Sequence, residues 1–238
     1  MLVRHKKTMT IGALLGLSFI GVLVLIFSPV FGEGKTGLEY SDELFNKLAK
    51  GSSYFIPELT ESLKEVKGMD IGGTTIKMES ADAASKAAKI LTRAHMNVAV
   101  KGSELTINGD LAMELGNVLD DSSAMYYNKD SEISQKYGMD AKEVMSTWWG
   151  VLNKTAKEFQ KTKRVEQASV IQEVMKKGIE PAYNFYNIEP QKVSDKALTV
   201  MGLLVFYILY TMWWGYAIFY LFDGFGLSMT KAKVKQEV

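Results

Sequence analysis

Two long stretches without a charged side chain constrain this chain more than any other feature. Residues 8–32 and 197–222 contain no Asp, Glu, Lys, Arg or His. A helix needs roughly 20 mostly apolar residues to cross a hydrocarbon core about 30 Å thick, and both stretches exceed that length. We therefore predict a membrane protein in which transmembrane helices at 9–31 and 197–222 flank a domain at 33–196.

The first stretch could instead be a secretory signal peptide. It follows the basic residues Arg4, Lys6 and Lys7, and small residues near Gly32 resemble a cleavage site. However, the apolar core of a signal peptide usually spans about 7–15 residues, and this run is longer. We interpret it as an uncleaved transmembrane helix.

The orientation in the membrane follows from the basic residues on the terminal sides of the two stretches. These are Arg4, Lys6 and Lys7 before the first stretch and Lys231, Lys233 and Lys235 after the second. Since basic residues favour the cytoplasmic side, tails 1–8 and 223–238 are predicted to be cytoplasmic. Domain 33–196 would then be periplasmic or extracellular, on a chain located in the cell (inner) membrane.

Hydrophobic patterns predict a mainly helical α+β domain with a small β-α-β-β unit. Short strands are expected at 74–78, 97–100 and 104–107, because these segments are rich in β-branched residues and end at turns. An alanine-rich helix is expected at 80–95, between the first two strands.

The remainder of the domain is predicted to be helical. Helices are expected at 40–49, at 58–67, at 110–119 and, as the longest, from residue 141. Asp140 is the predicted N-cap of the long helix. Whether the weakened pattern at 160–164 marks a bend or a break stays open. The polar run 120–136 is interpreted as a loop, with a helical turn at 124–127 left open, and Gly178 as a helix stop.

The composition excludes several kinds of catalytic chemistry. The chain has no cysteine, so it cannot attach a c-type haem, ligate an iron–sulfur cluster through cysteine or use a thiol nucleophile. Its two histidines are His5, in the N-terminal tail, and His95, at the predicted end of a helix. A net charge of +1 and the lack of a basic surface argue against nucleic-acid binding. We expect neither an enzyme nor catalytic residues.

A loop rich in oxygen ligands is the remaining candidate for a metal site. It contains Asp120, Asp121, Asn128, Asp130 and Glu132. The alternation from Asn128 to Glu132 resembles part of a calcium loop, but Ile133 stands where the required glycine would be. We interpret the segment as a solvated acidic loop and assign no metal.

Small residues on the two apolar stretches predict helix packing. Gly12 and Gly16 are four residues apart in the first stretch, as are Thr211 and Gly215 in the second, and this spacing allows helix backbones to approach closely. At 1.5 Å per residue, Gly16 and Gly215 lie about 12–14 Å from the cytoplasmic end. We predict that the two helices pack as an antiparallel pair at these residues.

The second stretch is unusually aromatic. Its candidate membrane-interface or partner-contact residues are Phe206, Tyr207, Tyr210, Trp213, Trp214, Tyr216 and Tyr220. They nearly encircle a helix, whereas a cofactor groove would concentrate them on one face. An interfacial aromatic belt explains those near the cytoplasmic end. Phe206, Tyr207 and Tyr210 lie deeper and are predicted to contact protein, either the first helix or a partner. Contact with lipid or quinone within a complex stays open.

Two aromatic groups in the domain also stand out. Trp148 lies on the apolar face of the long helix and is expected in the core, whereas Trp149 is expected at its edge or in a contact. Tyr183 and Tyr186 are expected either to reach the lipid headgroups or to pack on the domain.

These features favour a non-catalytic accessory or structural subunit of a larger membrane complex, such as a respiratory or other energy-transducing complex. The expected partners are other membrane subunits and the lipid bilayer, with no cofactor bound by this chain alone. The alternative is a membrane-anchored ligand-sensing or binding module that signals through a partner, because the layout resembles that of bacterial membrane receptors.

Overall fold

The computed structural model describes residues 3–227, and it is mainly helical with one small sheet. It contains two compact units, residues 3–45 with 192–227, and residues 46–191. We call these the helix-pair unit and the central unit. Most of the predicted cytoplasmic tail, including Lys231, Lys233 and Lys235, lies outside the described residues.

The bounds of the elements are as follows. The helices are α1 (Lys6–Ile26), α2 (Gly37–Gly51), α3 (Ile56–Ser62), α4 (Ala81–Arg93), α5 (Leu111–Tyr126), α6 (Asp130–Tyr137), α7 (Ala141–Lys161), α8 (Val165–Val174), α9 (Glu180–Asn184) and α10 (Ala197–Gly224). The strands are β1 (Thr74–Lys77), β2 (Asn97–Lys101) and β3 (Glu104–Asn108). There are also 3₁₀ turns at Leu63–Val66 and Val193–Lys196, and a π-helical turn at Met175–Ile179.

In the helix-pair unit, α1 and α10 are both long and apolar enough to cross a membrane, by length and composition. Helix α1 ends at Ile26, earlier than the predicted residue 31. Pro29 explains the difference, because a proline disfavours helical conformation at the residue before it. Helix α10 continues to Gly224, slightly beyond the predicted residue 222.

Helices α1 and α10 pack against each other in antiparallel orientation. Gly12 lies so close to α10 that a Cβ atom there would be 2.7 Å from the backbone nitrogen of Leu221. Further along α1, the ring of Phe19 stacks on that of Tyr210 with 4.2 Å between centroids. Contacts at higher residue numbers in α1 therefore involve lower residue numbers in α10, as two antiparallel helices require.

The predicted contact between Gly16 and Gly215 is not present in this pair. A Cβ atom at either glycine would meet nothing within 4 Å. Thr211 Oγ1 donates to the carbonyl of Tyr207 in its own helix, at 3.0 Å. The bulky ring of Phe19 fills the space between the helices instead, so the close backbone approach occurs at Gly12.

The sheet of the central unit confirms the predicted β-α-β-β unit. Its strand order is β1-β3-β2 with antiparallel pairing, and α4 connects β1 to β2. Side chains of Ile76, Leu105 and Ile107 point to the core, as the alternation of a strand requires. Helix α4 ends at Arg93 rather than at residue 95, and His95 follows in a left-handed conformation with φ 63°.

Helix α7 forms the centre of the core. The carboxylate of Asp140 accepts hydrogen bonds from the backbone amides of Lys142 and Glu143, at 2.9 and 3.3 Å, so the predicted N-cap is confirmed. Trp148 is fully buried, as expected from its position on the apolar face. The chain then breaks between α7 and α8, where Lys163 has a φ of 60°.

The prediction of a loop at 120–136 is wrong. Helix α5 continues to Tyr126, and α6 occupies much of the remainder. Polar residues of this run lie inside the fold with hydrogen-bond partners; for example, Ser122 Oγ donates to the carbonyl of Val118 at 2.7 Å. Their polarity therefore did not mark a solvent-exposed loop.

The predicted helix stop at Gly178 is also wrong, because the chain continues through the π-helical turn into α9. A Cβ atom at Gly178 would lie 3.1 Å from the side chain of Leu119, so glycine serves close packing here. Pro181 lacks an amide hydrogen, and its ring crowds the carbonyl four residues earlier. A wider turn relieves that crowding, and such π turns are frequent at functional sites.

Replacing Gly12 with leucine should separate α1 from α10, since the new side chain would collide with backbone atoms. Because the chain has no cysteine, a cysteine pair at Phe19 and Tyr210 can report proximity through its disulfide yield. We expect Gly12→Leu to lower that yield by about fivefold or more, because overpacking costs about 1–3 kcal/mol. Gly16→Leu is the matched control and should leave the yield unchanged; equal yields for the two variants would contradict the observed packing.

Candidate functional site

Three of the predicted aromatic contact residues of α10 face α1. The ring of Phe19 contacts Tyr210, Trp214 and Trp213, with centroid distances of 4.2, 4.6 and 6.4 Å. The indole of Trp213 also donates to the carbonyl of Leu15 at 3.1 Å. The deep position of Tyr210 is therefore explained within this pair.

Of the other predicted aromatic residues, Tyr216 and Tyr220 line a cavity of about 480 Å³ together with Leu15 and Trp213, whereas Phe206 and Tyr207 do not line it. Tyr207 and Tyr216 are 65% and 53% exposed. Phe206 touches Tyr210 within the same helix at 5.5 Å, and Tyr220 touches Phe219 at 5.5 Å. This outward set does not form a single aromatic groove.

The acidic segment considered for calcium contains a buried structural carboxylate. Asp121 accepts hydrogen bonds from Lys136 Nζ at 2.8 Å, Tyr137 Oη at 2.6 Å and Trp148 Nε1 at 2.8 Å. Burial and the neighbouring carboxylate raise the pKa of Tyr137, so its hydroxyl keeps the proton that it donates. Within residues 3–227, no group of three or more His, Asp or Glu side chains is arranged to hold a metal ion.

Lys50 is a second buried charged group that sequence reasoning missed. Its ammonium donates to the carbonyl of Ile188 at 2.5 Å and to Asn128 Oδ1 at 3.2 Å, and it lies 5.0 Å from the ring centroid of Tyr126. Burial lowers the pKa of Lys50. These contacts join two ends of the central unit, so we interpret Lys50 as structural rather than as a nucleophile.

Glu114 is the most unusual ionisable residue of the central unit. It is fully buried, and neither of its carboxyl oxygens has a hydrogen-bond partner among the described residues. Burial raises the pKa of Glu114 from its ordinary 4.5 to about 8. The hydroxyl of Thr155, on α7, is likewise buried and unpartnered within the described part of the chain.

The contacts of α5 and α7 show that these helices run antiparallel. The backbone amide of Leu111, which begins α5, and the guanidinium of Arg164, which follows α7, both donate to carbonyls of segment 69–71, at 3.0 and 2.9 Å. Midway along the helices, Asp121 meets Trp148. The start of α5 therefore lies near the end of α7.

This register places Glu114 and Thr155 at the same level. Glu114 precedes Asp121 by seven residues, and Thr155 follows Trp148 by seven, so each lies two helical turns from the central contact. The core thus holds two unpartnered polar groups at one level, two helical turns from the fully satisfied carboxylate of Asp121.

One surface feature suited to binding is a groove between α7 and α9. We call it the α7–α9 groove; its volume is about 380 Å³, and it is lined by Met145, Ser146, Trp149, Ile179, Glu180, Tyr183 and Asn184. Sites for small molecules are typically concave, mostly apolar and about 300–1,000 Å³ in volume. The groove fits the lower end of that range.

The groove has a buried floor and half-exposed aromatic walls. Met145 and Ile179 are buried, whereas Trp149 and Tyr183 are 40% and 38% exposed. The ammonium of Lys142 lies 5.3 Å from the ring centroid of Tyr183 and is also near Tyr186. Both tyrosines thus contact the central unit itself.

The sequence indicated part of this groove. Trp149 stood out because it is one position away from the apolar face of α7. Glu180 was missed, because the helix was expected to stop at Gly178. The sequence signal for this continuation was Pro181, three residues after Gly178, because proline is tolerated in the first turn of a helix and so indicates a helix beginning near Glu180.

Comparison of the chain with models of protein families, with curated proteins and with solved structures finds no match. Inferences about its function therefore depend on the sequence and geometry described above.

Glu114 predicts a specific dependence of stability on pH. The folded chain keeps the Glu114 proton up to about pH 8, whereas the unfolded chain loses it near 4.5, so unfolding releases a proton between these values. The free energy of unfolding of the central unit should therefore fall as pH rises from 4.5 to 8, by a maximum of about 5 kcal/mol.

Urea unfolding of the full chain in detergent, followed by tryptophan fluorescence at several pH values, measures this dependence. Glu114→Gln should flatten the profile over that pH window, and Glu166→Gln, which changes an exposed glutamate, should not. If Glu114→Gln kept the same slope as the unaltered chain, Glu114 would not be the titrating group.

Proposed function

We propose that this chain is a non-catalytic accessory subunit of a larger membrane complex, such as an energy-transducing one. The observation that carries the proposal is the outward face of the α1–α10 pair. Gly215 remains open there, and Tyr207 and Tyr216, on opposite flanks of α10, are largely exposed.

The open glycine Gly215 supports helix–helix contact with another subunit. A shallow cavity of about 290 Å³ at Gly215 is bounded by Met212, Tyr216 and Phe219. Within a bilayer, association of helices depends on close packing and hydrogen bonds, and small residues provide the close approach. A partner helix seated at Gly215 would use a notch that α1 does not fill.

The exposed tyrosine of this face supports the same proposal. A hydroxyl in the hydrocarbon layer requires a hydrogen-bond partner, because water is absent there. Thr211 meets that need within its own helix, whereas the hydroxyl of Tyr207 has no hydrogen bond within residues 3–227. A polar group on a partner helix would satisfy it.

The proposed topology follows from the charges beside the apolar stretches. Both termini would be cytoplasmic in the cell (inner) membrane, and residues 33–196 would be periplasmic or extracellular. No cofactor is assigned to this chain alone; contact with lipid or quinone would be provided by the complex.

Ligand binding by the central unit is the second candidate function. The α7–α9 groove favours it, because two half-exposed aromatic side chains flank a buried apolar floor. A binding module of this kind would signal through a partner of the helix pair.

The accessory role can be tested by purifying the tagged chain from its own membranes in mild detergent and quantifying co-purifying chains by mass spectrometry. We expect at least one other membrane protein at fixed stoichiometry. Gly215→Leu should reduce its recovery by about fivefold or more, since a filled notch prevents close packing.

Leu209→Phe is the matched control, because it enlarges a side chain of α10 that is already large and exposed and lies about 120° around the helix from Gly215. Its recovery of partners should equal that of the unaltered chain. A monodisperse chain without stoichiometric partners would contradict the accessory role, and so would equal losses for the two variants.

A further inference from the structure

We propose that the α7–α9 groove binds a small organic cation, namely a protonated amine attached to an aromatic body. This inference rests on the second function proposed above, ligand binding by the central unit, and is independent of the assembly of the helix pair. Its evidence is the shape, the charge and the rigidity of the groove.

The shape of the groove suits a flat apolar group. Buried Met145 and Ile179 form an apolar floor, and Trp149 and Tyr183 expose ring surface at the sides. Aromatic side chains favour stacked or edge-on contacts with another ring. A single aromatic ring with a short side chain matches a volume of about 380 Å³.

The charge of the groove selects a cation. Glu180 is the one charged residue among those that line it, and its carboxylate is exposed with no ion pair or hydrogen bond to a described residue. The ring of Trp149 adds to this preference, because the face of an aromatic ring attracts a cation and tryptophan does so most strongly.

The position of Lys142 shows that the chain already places an ammonium group at this aromatic cluster. Its Nζ lies 5.3 Å from the ring centroids of both Tyr183 and Tyr186. An incoming ammonium would avoid that end of the groove because of repulsion by Lys142. It would therefore be directed to Glu180 and Trp149.

The groove is formed before any ligand binds, because its α9 side is fixed by packing. Gly178 lies tightly against Leu119, and Pro181 restricts the backbone of the first turn of α9. Glu180 lies between these two residues. In a preformed site, ligand binding loses little free energy to the ordering of protein side chains and loops.

Fluorine NMR of the full chain in detergent, labelled with 5-fluorotryptophan, can test the proposal. The chain has four tryptophans, and each can be assigned by its replacement with phenylalanine. Trp149 reports on the groove, and the adjacent Trp148 is a buried control. Trp213 and Trp214, in α10, report ligand that merely partitions into detergent.

The probes are phenethylamine, 2-phenylethanol and 3-phenylpropionate, which share a phenyl ring and two methylenes but have positive, neutral and negative charge at pH 7. We expect phenethylamine to shift the Trp149 resonance saturably, without a matching shift of Trp213 or Trp214. Its affinity should exceed that of the alcohol by about fivefold, as a cation–π contact and a charge-assisted contact at an exposed site would give. The carboxylate should bind more weakly than the alcohol.

Glu180→Gln should weaken phenethylamine binding by about threefold or more, whereas Glu166→Gln, at an exposed glutamate outside the groove, should not. If the alcohol or the carboxylate binds as tightly as the amine, or if the two variants behave alike, the assignment of a cation is overturned while the groove remains a binding site. If no probe shifts Trp149 independently of Trp213 and Trp214, both this inference and the ligand-binding function fail.

Discussion

The arrangement of the central unit depends on one buried carboxylate, that of Asp121. It accepts hydrogen bonds from Tyr137 on α6 and Trp148 on α7, and it pairs with Lys136. A buried charge is costly unless hydrogen bonds and an opposite charge compensate for it, and losing a partner of such a pair costs about 3–5 kcal/mol. With three donors around it, Asp121 joins three helices and sets the register of α5 against α7. That register in turn fixes where every other residue of the two helices lies.

Glu114, on the same helix, illustrates the opposite situation. Its carboxyl group is buried without a partner among the described residues, and burial alone raises its pKa to about 8. At neutral pH the group remains mostly protonated, which avoids a buried charge but leaves polar atoms without hydrogen bonds. Two carboxyl groups of one helix thus have different environments, because only Asp121 meets donors from other helices.

The two units have different kinds of available surface. In the helix pair, Phe19 and Gly12 account for the internal contact, and the face that includes Gly215 and Tyr207 is left for other molecules. In the central unit, the available surface is the α7–α9 groove, whose position depends on the π-helical turn before Pro181. The first surface supports our proposal of assembly with membrane subunits, and the second supports ligand binding.

The sequence by itself determined what short-range physics controls. Long runs without charge define the two apolar helices, alternation defines the strands around α4, and a capping carboxylate starts α7 at Asp140. Only the tertiary structure decided which polar residues are buried and which glycines contact the neighbouring helix. Asp121 and Glu114 look alike in sequence, as do Gly12 and Gly16, but their environments are set by residues far away in the chain. The helices within 120–136 likewise depend on such contacts, because burial of their polar side chains among distant residues outweighs their local polarity. The position of Glu180 in the groove depends on them too, because Gly178 packs against Leu119 and does not end the helix.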